Sequence, residues 1–261
     1  MPNNKLWFSL YTLKEYESTE PPFVDVHYMK GVKELEQNYE VILKELEQYL
    51  EKNNLINHFN HMMVEKPKTW KVQGLGAWGR KNYGKRIYFP KTMALLSGIP
   101  NVTNISFNLL EPQSKIKAHQ GDTNAIIRCH LGLKIPAEAP TCAIKVKNEI
   151  KGWQTGKIIA FNDAYTHEAC NLSDESRIIL LFDILKPEFI KQKSKICATV
   201  CSSMFVQKIG NLWPGIYNIN REIFKPILFP CVLFMQIKIP VVNTYKYIRY
   251  IKLAPLPSQK T

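Results

Sequence analysis

Several things are scarce in this 261-residue chain, and each scarcity excludes something. It has six cysteines, at positions 129, 142, 170, 197, 201 and 231, and only Cys197 and Cys201 lie close together. No second close pair exists, so a zinc-ribbon site is not expected. The N-terminus, beginning Met-Pro-Asn-Asn-Lys-Leu-Trp, carries no apolar leader core and no small-residue cleavage site. The expectation is therefore a cytoplasmic chain with reduced thiols, with peripheral membrane contact as an option. The longest apolar stretch, Phe224 to Val242, is broken by Lys225, Pro226, Pro230, Gln236, Lys238 and Pro240. No charge-free window of about 20 apolar residues exists, and a spanning helix is not expected. Repeats and low-complexity tracts are also lacking.

Acidic residues are scarce in one region. From Leu185 onward there are 12 Lys or Arg against 2 Asp or Glu, whereas Met1–Ile184 holds 23 against 20. Most of the net charge of +13 thus belongs to the last third. Such a tail suits an anionic partner, and a membrane surface or anionic lipid is preferred here over nucleic acid. Two regions follow from this shift: 1–187 as the main domain with an N-terminal helix, and 188–261 as a basic, aromatic-rich C-terminal extension.

What is present is patterned. Leu35, Tyr39, Ile42, Leu43, Leu46 and Leu50 recur mostly at intervals of three and four. They predict an amphipathic helix over 32–52, laid on a sheet, with Glu and Lys on the outer face. A short helix follows Pro90. Strands are expected at 101–110, 125–133, 141–146, 157–162 and 177–184, separated by Gly and Pro. Many short strands with turns between them indicate a β-barrel or double-sheet jelly roll with helices outside.

The chemistry gathers between Asn108 and Arg177. In Ile126–Leu133 the period of two puts Arg128 and His130 on one face and Ile127, Cys129, Leu131 and Leu133 on the other. In the run from Arg177 to Asp183, Arg177, Ile179, Leu181 and Asp183 share a face. An inward arginine needs a carboxylate, and Asp183 is available to one of the two, or else a bound anion. His167 precedes Arg177 across a polar turn, which suggests neighbouring antiparallel strands. Two inward histidines with two inward arginines suit a metal bearing an organic dicarboxylate. The usual His-x-Asp/Glu ligand pair is incomplete, because Gly121 stands where the carboxylate is expected. His27, His58 and His61 have no evident partners and read as structural or surface residues.

Two segments carry a resemblance. They are His119-x-Gly-x-Thr-Asn-x-x-x-Arg128-x-His130-Leu-Gly-Leu-x-Ile-Pro136 and Trp153-x-x-Gly-Lys-x-x-x-Phe-Asn-Asp-x-x-x-His167-Glu, followed by Arg177 and Asp183. The sequence resembles the aspartyl/asparaginyl β-hydroxylase family of iron(II)- and 2-oxoglutarate-dependent oxygenases, densely over about 65–185. The resemblance implies a mainly β fold, a double-stranded β-helix (jelly-roll, cupin-like) core with flanking α-helices. It implies Fe(II) at His119 and His167, both catalytic. It also implies 2-oxoglutarate held by Arg128, His130 and Arg177, with Asn108 and Trp70 as further contacts. Asp122 is either a supporting residue or a metal ligand. The implied reaction is hydroxylation of an unactivated C–H bond, first of all the β-carbon of Asp or Asn in a peptide or protein. The alternatives are an acyl chain of lipid A or another membrane lipid, a jelly-roll binding or sensor module without turnover, and a zinc hydrolase or isomerase built on the two histidines plus Asp122.

Overall fold

The computed structural model describes residues 5–12, 14–213, 215 and 221–253. Helices α1 (Val32–Gln37) and α2 (Tyr39–Leu50) lead into strands β1 (Ile56–Asn57), β2 (Trp70–Ala77) and β3 (Arg80–Lys81). Helices α3 (Tyr83–Arg86) and α4 (Pro90–Ser97) precede β4 (Val102–Leu110), β5 (Ser114–His119), β6 (Ile126–Lys134) and β7 (Cys142–Val146). Then come β8 (Glu149–Gly152), β9 (Ile158–Phe161), β10 (His167–Asn171) and β11 (Arg177–Leu185), and finally α5 (Lys193–Leu212) and α6 (Arg221–Leu253).

The strands form two antiparallel sheets. The larger runs β1-β2-β4-β11-β6-β9, with β3 paired to β2 at the side, and the smaller runs β5-β10-β7-β8. This is the expected jelly roll. β11 shows why its sequence is apolar apart from Arg177 and Asp183, since all nine of its residues are buried. Ile178, Leu180, Phe182 and Ile184 pack with Leu35, Ile42 and Leu46 under the helices, while Ile179 and Leu181 pack with Ile144, Val146 and Phe161 between the sheets. A strand covered on both faces has no solvent face to fill with polar residues, and its two charges serve the site instead.

Four details differ from the sequence reading. The helix over 32–52 is broken at Asn38, whose side-chain amide donates to the Glu34 carbonyl at 2.8 Å and competes with the backbone ladder. Glu45 is not on a solvent face; it is buried, and its carboxylate accepts from the Lys91 and Thr92 backbone N–H groups at 2.8 and 2.9 Å. It thereby caps α4, where an anion also complements the helix dipole. The segment ahead of α1, where the sequence reading placed no element, is woven into the core, with Phe8, Tyr16, Phe23 and Val26 buried. Finally, His167 and Arg177 are not on neighbouring strands. β10 pairs with β5 and β7, whereas β11 pairs with β4 and β6, because the turn between them crosses from one sheet to the other.

Beyond Pro187, α5 is part of the packed body: Ile196, Cys197, Val200 and Cys201 cluster with Phe8, Trp78, Ile126 and Leu185. Pro226, Pro230 and Pro240 interrupt the apolar run of α6 but not the helix. Its segment Leu228–Tyr250 is, by length and composition, long and apolar enough to cross a membrane, contrary to the expectation from the charge-free window alone.

Candidate active site

Register builds the site. His119 and His167 are direct cross-strand partners on β5 and β10, and their ring centroids lie 4.2 Å apart. Each ring is fixed the same way: His119 Nδ1 meets the Lys117 carbonyl and His167 Nδ1 the Tyr165 carbonyl, both at 2.8 Å. A carbonyl accepts only from an N–H, so Nδ1 carries the proton and Nε2 keeps its lone pair. Burial lowers the pKa of His119 to about 4 and drives that of His167 well below the ordinary range. Two neutral imidazoles held by backbone carbonyls have the protonation state and fixed ring orientation that metal ligation requires. Among the described residues no group of three His, Cys, Asp or Glu side chains converges at metal-binding distance, so the pair stands without a protein carboxylate ligand.

The reason is steric. A Cβ placed on Gly121 would overlap the Asp163 carboxylate, and the Gly121 N–H donates to the Asp163 carbonyl at 2.8 Å. Asp163, in the loop between β9 and β10, fills the space that a side chain at position 121 would need. Its Oδ1 lies 3.5 Å from His167 Nε2, and Arg128 Nη1 donates to that same oxygen. Burial pushes its carboxyl upward, while the Arg128 guanidinium works against this. Asp163, in contact with both His167 and Arg128, is a residue that the sequence reading did not single out. Its signal was the Asn-Asp pair four residues ahead of His167.

The two arginines have different surroundings. Arg128 lies opposite Asp183 in the β6–β11 register and forks onto it, with Nε–Oδ1 at 2.8 Å and Nη2–Oδ2 at 2.9 Å. Together with Asp163 it has two carboxylates. Arg177 is 1% exposed, its Nε has no partner, and no carboxylate pairs with it among the described residues. Its guanidinium lies over the Trp153 ring at 4.5 Å, and burial lowers its pKa to about 10. A buried cation held only by a ring face calls for an anion. His130 adds a second open donor. Its Nδ1 accepts from Trp153 Nε1 at 3.4 Å, so the proton sits on Nε2, which is buried and unpartnered. Arg177, His130, Arg128 and the two histidines line one cavity, together with Trp70, Asn108, Ile116, Ile144, Phe161, Glu168, Ala169, Ile179 and Leu181. The donor set fits a metal with a carboxylate-bearing cosubstrate: two free imidazole nitrogens, and two unsatisfied buried donors facing the same space.

The other expected residues are placed as follows. Trp70 stacks on His58 at 3.7 Å, which gives His58 a partner the sequence did not reveal, and donates to Asn108 Oδ1 at 3.0 Å. Asn108 also donates to Ser106 Oγ at 2.8 Å, so protein partners occupy both ends of its amide. Asp122 is turned toward α5, where Ser203 and Gln207 donate to it at 3.2 Å, and it does not line the cavity. The two-histidine-plus-Asp122 zinc arrangement is therefore not assembled.

Comparison with known proteins identifies the family. The family model for aspartyl/asparaginyl beta-hydroxylase matches residues 36–187. The chain belongs to the aspartyl/asparaginyl β-hydroxylase family. Within that family it is 33% identical over 186 residues to an ornithine lipid ester-linked acyl 2-hydroxylase of Rhizobium tropici, covering 69% of this chain and 66% of that one. It is 31% identical over 173 residues to the human aspartyl/asparaginyl beta-hydroxylase, covering 64% of this chain but 23% of the human protein. The chain thus spans less than two thirds of either relative. Among solved structures, a Pseudomonas putida prolyl-4-hydroxylase aligns with a TM-score of 0.41 at 12% identity, over 57% of this chain and 87% of that one.

Proposed function

We propose that this protein is an iron(II)- and 2-oxoglutarate-dependent oxygenase that hydroxylates an unactivated C–H bond, and that His119 and His167 hold the metal through Nε2. The observation that carries the reading is the unpaired, buried Arg177 guanidinium sharing a cavity with two neutral, pre-oriented imidazoles. When bound, the metal and 2-oxoglutarate supply the oxidising chemistry. The protein's part is recognition and shielding. Arg177 and the His130 Nε2–H donate to a carboxylate of the cosubstrate. The Lys117 and Tyr165 carbonyls hold the two ligand rings. Phe161, Ile179 and Leu181 keep the space dry, which strengthens each of these polar contacts.

The substrate class favoured by the cavity is an acyl chain of a lipid. Arg177 is committed to the cosubstrate, and Arg128 already carries two carboxylates. No further free cation lines the cavity among the described residues, while Ile116, Ile144 and Phe161 offer apolar contact. The match to a lipid acyl 2-hydroxylase over 69% of the chain points the same way. The second reading, the β-carbon of a peptide Asp or Asn, is supported by the match to the human enzyme. In that reading Asp163 or Asp183 releases Arg128 to receive the substrate carboxylate.

Substrate-dependent decarboxylation of 2-oxoglutarate tests the class. Wild type should release succinate with iron(II), and His119→Ala and His167→Ala should not. Equal release from all three would end the enzyme reading. Mass spectrometry of acyl lipids and of Asp- or Asn-bearing peptides offered in parallel decides which gains an oxygen.

A further inference from the structure

Helix α6 has two unlike sides. One side is docked along its length. Leu228 and Val232 are buried, and Met235 and Ile239 pack on the α5 cluster. Asn243 donates to the Gly79 carbonyl at 2.7 Å and accepts from the Lys81 N–H at 3.0 Å, and Tyr250 meets the Tyr83 ring. At 1.5 Å per residue these contacts extend over roughly 33 Å. The opposite side faces outward and is apolar: Phe229, Leu233, Phe234, Ile237, Val241 and Tyr245 are 46–68% exposed. At 100° per residue they fall within one broad stripe facing away from the docked side. A patch of this kind on a folded body marks an interaction surface.

The charges around the stripe identify the partner. Lys238 and Arg249 flank it along one edge. The β3–α3 segment against which α6 docks adds Arg80, Lys81 and Lys85, and no Asp or Glu occurs anywhere from residue 66 to 110. None of Arg80, Lys81, Lys238, Lys246 and Arg249 has a carboxylate partner among the described residues. A second copy of this chain would bring like charges together, whereas an anionic lipid surface meets both the apolar stripe and its cationic flank.

We propose that the outward face of α6 seats the protein on an anionic phospholipid bilayer, with the helix lying in the plane of the interface and its basic flank at the headgroups. A crossing orientation would strip the docked side of every contact named above. The inference is independent of the oxygenase reading, because bilayer binding requires neither metal nor turnover.

Flotation of the full chain with vesicles tests it. Wild type should float with phosphatidylcholine vesicles containing phosphatidylglycerol, weakly with phosphatidylcholine alone, and less at high salt. The double variant Ile237→Glu/Val241→Glu alters only exposed side chains and should melt like wild type, but bind at least about tenfold more weakly. Lys238→Glu/Arg249→Glu should lose the preference for phosphatidylglycerol. In Val241→Trp, lipids brominated near the headgroup should quench the indole more than lipids brominated near the chain ends. Failure of wild type to float, or wild-type binding by the Ile237→Glu/Val241→Glu variant, would overturn the proposal. So would stronger quenching from the bilayer centre, which would place the helix across the membrane. A solution dimer split by Ile237→Glu, with no vesicle binding, would overturn it in favour of a second copy.

Discussion

Replacing Arg177 with Met should make the protein more stable and less able to bind its cosubstrate. Met roughly preserves the aliphatic volume and can pack against Trp153. In the unliganded protein the guanidinium is buried beside a ring face with no carboxylate, and its pKa falls from 12.5 to about 10. At about 1.4 kcal/mol per tenfold, that depression corresponds to roughly 3 kcal/mol against the charged form. The variant also forfeits the cation–π contact, worth about 1 kcal/mol. The net gain is about 2 kcal/mol, or roughly 4–8 °C in Tm for a chain of this size. Against this, removing one partner of a buried, hydrogen-bonded charge pair costs about 2–5 kcal/mol, so 2-oxoglutarate affinity should fall by about 30-fold to several thousand-fold. Differential scanning calorimetry of the metal-free protein reads the first effect. Titration of 2-oxoglutarate under anaerobic conditions with metal bound reads the second. A variant that melts lower than wild type, or that binds 2-oxoglutarate within threefold of wild type, would refute the assignment of Arg177 as an anion-seeking cation.

Gly121→Ala should be destabilising although alanine is small, because its Cβ meets the Asp163 carboxylate; overpacking of this kind costs about 1–3 kcal/mol. Combining it with Asp163→Gly should recover part of the loss in a thermal melt. Glu45→Ala removes the cap on α4 and leaves two backbone donors without their acceptor; the expected loss is about 1–2 kcal/mol by chemical denaturation. Asp122 has its carboxyl pushed up to about 6 by burial, above its ordinary value of 3.8. A raised acid binds its proton more tightly when folded, so it costs stability above pH 6, and the cost fades as pH falls through 6 toward 4. Wild type should therefore gain on Asp122→Asn as the pH is lowered from 8 to 5, and a constant gap between their melting curves would count against this.

What could be read from the sequence was whatever alternation expresses. Arg128 and His130 share a face apart from Cys129 and Leu131 because successive strand residues point to opposite sides, one toward the cavity and the other toward the core under the helices. The absence of a side chain at Gly121 was also legible, but its cause was not. The Asp163 carboxylate reaches that space from a loop, and no periodicity describes a loop's path. The pairing of Arg128 with Asp183 follows from β6–β11 register, which sequence does not give once strands far apart in the chain become neighbours. The same limit explains the mistaken adjacency of His167 and Arg177: a short polar turn looks like a hairpin whether or not it changes sheets. His58 on Trp70 depends on the β1–β2 region folding back, where the strand signal is two residues long.

The pairing of His119 with His167 has a mechanical side. β5 lies at the edge of the smaller sheet, joined on one side to β10 and met on the other, among the described residues, by the isolated bridge from Val64 to Ile116 rather than by a full strand. Edge strands fray first, and a slip of one residue would turn His119 to the wrong face. An ion shared by the two rings would tie that edge to the interior of its sheet. Loading the metal should then slow amide exchange along 114–119 far more than in β11, which is protected from both sides. On this view the site registers whether β5 is in place, and only a correctly aligned edge can bind tightly.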